Sequence, residues 1–236
     1  MEHTVIVGAT RGMGFALAKH LLAQGQRVTI SGREQAGIDK ALGKLDSSKA
    51  DGIVLDLRDF DAVRTTLQAL PGFDHLVLCG SADAAWGPFA SLQITSLETA
   101  LQTKLLGYLN AAQAALPKLA ERGSITFVGG ASARAAMPGT AGLAAVNGAL
   151  VAATRTLAKE LAPRRVNLVS PGLVDTEAYA GMPADAKAVM FAQAAGKLPV
   201  GRTGLPEDIA PAIAFVLTNP FVTGAVIDVD GGAHLG

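Results

Sequence analysis

Short, β-branched apolar runs alternate along the chain with longer segments rich in alanine and leucine. The runs are mostly apolar throughout rather than at every second position, which is typical of strands buried on both faces by crossover helices. This pattern predicts a parallel sheet. The seven predicted strands are residues 4–7, 27–30, 53–55, 76–78, 125–128, 166–169 and 226–229.

Between these strands the apolar residues take helical spacing, and Pro206 opens the last such segment in the first helical turn, where proline is tolerated. Strands that alternate with helices predict an α/β, single-domain Rossmann fold, with a doubly wound, seven-stranded parallel sheet and helices on both faces. We assign residues 1–236 to this one domain and treat residues 175–205 as a candidate substrate lid. The predicted helices are residues 15–24, 59–70, 96–120, 140–162 and 206–218.

Charge and composition narrow the classes of partner. The 20 basic and 20 acidic side chains give a formal net charge of zero, and no block of like charge is present that would follow a phosphate backbone or an anionic membrane. We therefore expect no nucleic-acid partner and no membrane partner. The N-terminus shows no basic leader, and no uncharged apolar run approaches the length of a membrane span, so we expect a cytoplasmic protein.

Metal and thiol chemistry are also not indicated. Cys79 is the single cysteine, so an intrachain disulfide is excluded, and its apolar context favours an inert buried thiol. The histidines show neither i, i+4 pairing nor a zinc-type cluster, and we expect no metal site. The four histidines are His3, His20, His75 and His234.

The first strand is followed by a glycine-rich turn, residues 8–14, and then by a predicted helix. Glycine is needed where a backbone turns sharply or approaches a pyrophosphate closely, and the helix N-terminus offers unpaired N–H groups to an anion. The turn therefore predicts a dinucleotide site. The alternative is a tight turn that holds no ligand.

Later segments follow this Gly-x-x-x-Gly-x-Gly turn in a specific order: residues 56–57, 167–172 with Thr176, 201–210 and 230–232. The combination resembles the short-chain dehydrogenase/reductase family over essentially the whole chain. The resemblance implies a nicotinamide cofactor along the carboxyl ends of the strands, a small-molecule substrate, and a homodimer or homotetramer. The positions it assigns to cofactor binding are Gly8, Thr10, Arg11, Gly12, Met13, Gly14, Arg33, Asp56, Leu57, Cys79, Gly80, Pro171, Gly172, Val174 and Thr176.

The end of the second strand predicts which cofactor is used. A carboxylate there accepts the ribose 2′-hydroxyl of NAD, whereas a guanidinium accommodates a 2′-phosphate. This chain has Arg33 at that point, and Arg11 lies inside the glycine turn. The pair favours NADP(H), although either arginine can also be a solvated surface charge. Asp56 is expected to hold the adenine edge with Leu57, or alternatively to cap the next helix.

The resemblance breaks down at the catalytic positions of the family. Matching the motifs puts Leu143 at the tyrosine, Asn147 at the lysine, Gly130 at the serine and Lys104 at the asparagine. The Asn-Asn-Ala-Gly run expected after the fourth strand is altered to residues 78–81, Leu-Cys-Gly-Ser. All four usual catalytic side chains are thus expected to be missing, which costs about 10²–10⁴ in rate for this kind of acid catalysis.

Lys104 is the main candidate for a replacement acid, because a lysine buried beside a cofactor has a lowered pKa. The alternative is a helix lysine that extends to water. Ser132 and Asn147 are further catalytic candidates, and the Asn147 amide can bind the nicotinamide ribose. Tyr108, one turn after Lys104, can share a hydrogen bond with it, although core or interface packing is the simpler explanation. Tyr179 in the lid is another hydroxyl that can reach a substrate.

Apolar and aromatic residues of the lid, among them Tyr179, Met182, Met190 and Phe191, suit an apolar substrate, although packing of a short helix onto the domain explains them equally. Two functions follow. The first is an NADP(H)-dependent oxidoreductase that transfers hydride to a small, apolar or already activated substrate through a non-standard active site. The second is a catalytically silent NADPH-binding sensor or partner subunit.

Overall fold

A single parallel sheet organises the chain. The computed structural model describes residues 1–80 and 84–235, and within them seven strands lie in the order β3-β2-β1-β4-β5-β6-β7. The order reverses between β1 and β4, the point around which doubly wound sheets bind ligands. The predicted Rossmann fold is confirmed. The strands are β1 His3–Val7, β2 Arg27–Gly32, β3 Ala50–Val54, β4 Phe73–Leu78, β5 Leu119–Val128, β6 Arg165–Pro171 and β7 Val226–Val229.

Helices connect the strands and cover both faces. A π-helical segment, Leu101–Leu106, joins α4 to α5 without a break. The predicted helix over 96–120 is therefore confirmed in position but ends at Ala115, because β5 begins already at Leu119. The helices are α1 Gly12–Ala23, α2 Gln35–Leu45, α3 Phe60–Ala69, α4 Ile94–Ala100, α5 Gly107–Ala115, α6 Ala141–Glu160, α7 Ala184–Ala195 and α8 Pro206–Thr218.

Two hydrophobic cores lie on opposite faces of the sheet. Val5 and Leu76 point into the core covered by α3, α5 and α6, whereas Ile6 and Val77 point into the core covered by α1, α2 and α8. Successive strand residues alternate between faces. Because both faces are apolar, each strand is apolar throughout, as the sequence pattern indicates.

Helix α2 was not predicted. Gly37 and Gly43 lie inside it, and each glycine weakens a helix by about 1 kcal/mol relative to alanine. The helix is held by tertiary contact: Ile38 packs so closely on Gly52 of β3 that a Cβ there would overlap its side chain. This fit depends on two residues from different elements, so the helical periodicity of α2 alone does not reveal it.

Helix α6 is long and apolar enough, by length and composition, to cross a membrane. The expectation concerned uncharged apolar runs, and this helix carries Arg155, Lys159 and Glu160 in its second half. In the structure α6 is the crossover between β5 and β6, and it buries Val146, Leu150 and Ala158. A helix that packs on a sheet is apolar for that reason, so its position in the fold accounts for its composition.

The candidate lid projects from the sheet after β6. A parallel bridge between Val174 and Gly204 closes its base. Within it, Lys187 pairs with Asp175 at 2.6 Å, and the rings of Tyr179 and Phe191 meet edge to face with centroids 5.3 Å apart. Every side chain of α7 is at least partly exposed, so this helix belongs to neither core.

Candidate functional site

The turn between β1 and α1 forms a tight backbone cradle. Gly8 has a φ of +81°, and a Cβ there would lie 2.9 Å from the Gly80 Cα atom. Gly12 has a φ of +60°, and a Cβ on Gly14 would overlap the Gly8 carbonyl oxygen. Glycine is therefore required in this turn. Since α1 begins at Gly12, the N–H groups of its first turn, which have no partner within the helix, lie at the mouth of the cradle.

The carboxyl ends of the neighbouring strands meet at this cradle. A Cβ on Gly80, after β4, would lie 2.9 Å from Leu57, after β3, and a Cβ on Gly12 would lie 3.5 Å from Thr176, after β6. The other predicted cofactor positions follow the same strands. Thr10 packs against Gly32 at the end of β2. Met13 and Cys79 are partly buried and pack against the core covered by α1, α2 and α8, to which buried Val174 belongs. Pro171 is the last residue of β6. Gly172 lies against Asp230.

An acidic side chain of the lid reaches this cradle, which the sequence pattern did not indicate. The Gly12 N–H donates to Glu177 Oε2 at 3.0 Å. A negative charge is favoured at a helix N-terminus, and the carboxylate therefore takes a position suited to an anionic ligand. Thr176, the preceding residue, uses its hydroxyl oxygen to accept from the Ala178 N–H.

Two arginines, Arg33 and Arg58, act on Asp56 at the ends of β2 and β3, and Arg11 lies in the glycine turn itself. Arg11 and Arg33, both predicted, are exposed. Arg58 was missed: its guanidinium donates to Asp56 from Nε at 3.0 Å and from Nη2 at 2.6 Å. The hydrogen bond from Arg58 is the largest cause that lowers the pKa of Asp56, and the charge of Arg33 contributes. The carboxylate thus stays ionised among basic groups.

Asp56 does not cap a helix, so that alternative was wrong. Asp59 caps α3 instead, because its carboxylate accepts from the Ala62 N–H at 3.0 Å. An open depression of about 480 Å³ beside these residues is lined by Asp56, Arg58, Phe60 and neighbouring residues. Residues with this chemistry offer both charge and an aromatic edge to a ligand at the outer end of the sheet.

Lys104 lies in the π-helical segment, a type of turn that occurs frequently at functional sites. Its Nζ donates to the Gly129 carbonyl oxygen at 2.9 Å. Desolvation lowers the pKa of Lys104 to about 8, although proximity to Cys79 opposes the shift. The amine therefore points inward, and the alternative in which it extends to water is not what the structure shows.

Two neighbours of Lys104 are structural. Burial raises the pKa of the Cys79 thiol to about 12, so the thiol stays protonated and unreactive, as expected. Tyr108 is fully buried, stacks on Phe127 with centroids 6.1 Å apart, and donates from its hydroxyl to the Gly80 carbonyl at 2.7 Å. Core packing, one of its two predicted roles, is what the structure shows.

The remaining predicted catalytic positions meet at the end of β5. Leu143 packs in a small apolar cluster with Val146. Asn147, one turn further along α6, is buried and donates from Nδ2 to Ser132 Oγ at 2.9 Å. A Cβ on Gly130 would lie 2.8 Å from this same Nδ2 atom. Ser132, Asn147 and Gly130 therefore form one unit in which each residue constrains the others.

Tyr179, another predicted hydroxyl, does not belong to this unit. Tyr179 stays in the lid, where desolvation, with a contribution from Asp175, raises its pKa. Ser81, in the altered run after β4, lies outside the described residues.

A group of possible metal ligands lies at the end of β7. Ligand atoms of Asp228, Asp230 and His234 lie within 4.8 Å of one another. Protein groups already bind them: Arg134 pairs with Asp228, and His234 donates from its backbone N–H and pairs through Nδ1 with Asp230. These ion pairs leave Asp228 Oδ1 as a buried oxygen without a hydrogen-bond partner in the described part of the chain, and the expected absence of a metal stays a prediction.

Comparison with known proteins identifies the family. A family model described as enoyl-(acyl carrier protein) reductase matches residues 8–234, and a short-chain dehydrogenase/reductase of Stachybotrys chlorohalonatus is 32% identical over 99% of this chain and 97% of its own length. The chain belongs to the short-chain dehydrogenase/reductase family.

Two further relatives extend this result. Carbonyl reductase family member 4 of Danio rerio is 33% identical over 84% of this chain and 94% of its own length. The crystal structure of a small-chain dehydrogenase in complex with NADPH is 37% identical, covers 100% of this chain and 99% of its own, and has a TM-score of 0.85. The predicted family and fold are confirmed, and the family is one of oxidoreductases that bind a nicotinamide cofactor.

Proposed function

We propose that this short-chain dehydrogenase/reductase is an NADP(H)-dependent oxidoreductase that acts on a small, apolar or already activated substrate through a non-standard active site. The observation that carries the proposal is Lys104. It places a desolvated amine with a pKa of about 8 at the carboxyl edge of the sheet. A general acid works best with a pKa near the operating pH.

The residues present fit the cofactor. The space that a Cβ would fill at Gly8 and Gly14 is left free for the close approach of a pyrophosphate, and Gly12 offers its N–H. Arg33 and Arg58 would hold a 2′-phosphate through guanidinium hydrogen bonds. The NADPH complex of the relative that is 37% identical supports this assignment.

The chemistry divides between cofactor and protein. When bound, the nicotinamide supplies a hydride to the electrophilic carbon of the substrate. Lys104 donates its proton to the substrate oxygen, the product is the alcohol, and the neutral amine regains a proton from water. Leu143 has no proton to give at the family's tyrosine position, and Lys104 takes that task. The apolar surface of Leu143 favours an apolar substrate.

Turnover of NADPH tests the proposal. The purified protein should oxidise NADPH with members of a panel of quinones, iminium compounds and activated carbonyls, and activity on carbonyls should fall as the pH rises through about 8. Lys104→Met should lower kcat on carbonyls about 10²–10⁴-fold, while the exposed control Lys159→Met leaves kcat unchanged. Arg33→Ala should weaken NADPH more than NADH.

One outcome overturns the enzymatic proposal. If NADPH binds at micromolar concentration but no member of the panel is reduced, the chain is a silent NADPH-binding protein instead. Tighter binding of NADH than of NADPH by the wild-type protein would separately refute the assignment of the arginines.

A further inference from the structure

The bond between Asn147 and Ser132 leaves the hydrogen of the Ser132 hydroxyl free for another acceptor. An amide Nδ2 only donates, so Ser132 Oγ is the acceptor at 2.9 Å and its own hydrogen is left for a third group. Both side chains are buried, with exposed fractions of 4% for Asn147 and 8% for Ser132. Ser132 lies in the turn Ala131–Ala133 directly after β5, at the ligand-binding edge of the sheet.

The other polar atom of Asn147 indicates that this arrangement is not optimised for stability. Within residues 1–80 and 84–235, Asn147 Oδ1 is buried and has no hydrogen-bond partner. An unpaired buried acceptor costs about 1–3 kcal/mol, and a leucine of similar shape would avoid that cost. A buried polar group that stays unpaired calls for an explanation, and a catalytic role is one such explanation.

Lys104 and the Asn147 partner of Ser132 contact adjacent residues, Gly129 and Gly130. Lys104 Nζ bonds to the carbonyl of Gly129, and the Asn147 amide that orients Ser132 lies against Gly130. The same end of β5 therefore carries one charged donor and one neutral donor. Two donors at one place suit a group with two lone pairs.

We propose that Ser132 is a catalytic residue that donates a hydrogen bond to a substrate carbonyl oxygen, and that Asn147 is the positioning residue that commits the hydroxyl to this role. The proposal rests on the proposed oxidoreductase function and narrows its substrate class to carbonyl compounds. Ser132 keeps its hydrogen throughout, and the transferred proton comes from Lys104. An iminium nitrogen has no lone pair and gains nothing from either donor.

The experiment compares two substrates in the same variants at about pH 6.5, where Lys104 is protonated. Ser132→Ala should lower kcat for an activated ketone about 10- to 100-fold, somewhat less than the loss of a full oxyanion-hole donor, and leave reduction of an iminium compound unchanged. Asn147→Asp presents only acceptors, so it draws the Ser132 hydrogen to itself and should lower kcat for the ketone by a similar factor. In a chain that already carries Ser132→Ala, Asn147→Asp should lower kcat for the ketone by less than about a further threefold.

Matched controls are available in the chain. Ser124 is a buried serine in the middle of β5 that bonds His75, and Asn110 is an amide that bonds a backbone carbonyl. Ser124→Ala and Asn110→Asp should keep the wild-type kcat with both substrates.

Several results overturn the proposal. Wild-type kcat in Ser132→Ala, an equal loss with the ketone and the iminium compound, or a full Asn147→Asp effect in the Ser132→Ala background each contradict it while the oxidoreductase function stands. If Asn147→Asp does not fold, the ratio of kcat for the ketone to kcat for the iminium compound in Ser132→Ala decides whether the proposal holds. Absence of turnover in the wild-type protein overturns both proposals.

Discussion

Lys104→Met separates the stability of the buried amine from its catalytic role. The pKa of Lys104 falls from 10.5 to about 8, and one pKa unit corresponds to about 1.36 kcal/mol, so desolvation of the charged amine costs on the order of 3 kcal/mol. Methionine removes this cost but leaves the Gly129 carbonyl without its donor, which costs about 1–3 kcal/mol. At neutral pH the two effects offset, and we expect a change in unfolding free energy below about 2 kcal/mol.

The difference in unfolding free energy between the wild type and Lys104→Met tests the pKa of Lys104 better when it is measured over a range of pH than at one pH. Between pH 8 and 10.5 the folded chain has released the Lys104 proton and the unfolded chain still holds it. The unfolded state then binds more protons, so the wild-type unfolding free energy rises with pH, by up to about 1.4 kcal/mol per unit relative to Lys104→Met. Below pH 8 both states are protonated and the difference is constant. Cys79 is present in both proteins, so its own titration cancels to first order.

Urea unfolding of both proteins from about pH 7 to about pH 10 measures this difference. The exposed substitution Lys159→Met serves as the control and should show no such trend, because its amine is solvated in both states. A constant difference between wild type and Lys104→Met across this range would mean that the amine titrates normally. The argument for Lys104 as an acid near neutral pH would then be refuted.

Three further predictions concern the cradle and the helices. Gly8→Ala places a Cβ at a φ of +81° against backbone, and should lower the unfolding free energy by about 2 kcal/mol and abolish NADPH binding. Its control Gly43→Ala, with open space around it, should raise the unfolding free energy by about 1 kcal/mol. A change of the same sign in the unfolding free energy of both variants would contradict the steric argument. Glu177→Gln removes the charge that binds the α1 N-terminus, so titration should show several-fold tighter NADPH binding, with exposed Glu160→Gln unchanged; equal affinity for all three proteins would exclude competition. Asp208 has a pKa of about 2, held there mainly by its arginine partner, so its contribution is present above about pH 4 and lost toward pH 2. Asp208→Asn should cost about 1 kcal/mol at neutral pH and nothing near pH 2 in acid-unfolding experiments.

The sequence predicted the features that repeat along the chain. All seven strands were found because burial on both faces makes each one apolar throughout, and the glycine turn was found because backbone geometry excludes other residues there. Strand ends were less accurate: β5 begins at Leu119 rather than at 125, since its first residues are not an apolar run. Helix α2 was missed because one contact, Ile38 on Gly52, holds it.

Candidate site residues could be proposed from the sequence only where they belong to a motif with fixed spacing along the chain. The family's motifs singled out Lys104 and Asn147 as candidates, whose catalytic role stays a prediction. The desolvation of the amine and the bond from Asn147 to Ser132 depend on folding and cannot be read from spacing. Arg58 had no sequence signal, because it belongs to none of the motifs that predicted cofactor contacts. Glu177 had none, because its partner Gly12 lies far away along the chain.

The close approach of Gly130 and Asn147 restricts the order in which this candidate site can change by substitution. A serine introduced at Gly130 would displace the Asn147 amide and so separate it from Ser132, and the variant would lose one hydroxyl function before a new one is established. Replacement of Asn147 first frees the space but leaves Ser132 without its partner. The two positions are therefore coupled, and the effects of substituting Gly130 and Asn147 on stability should not be additive.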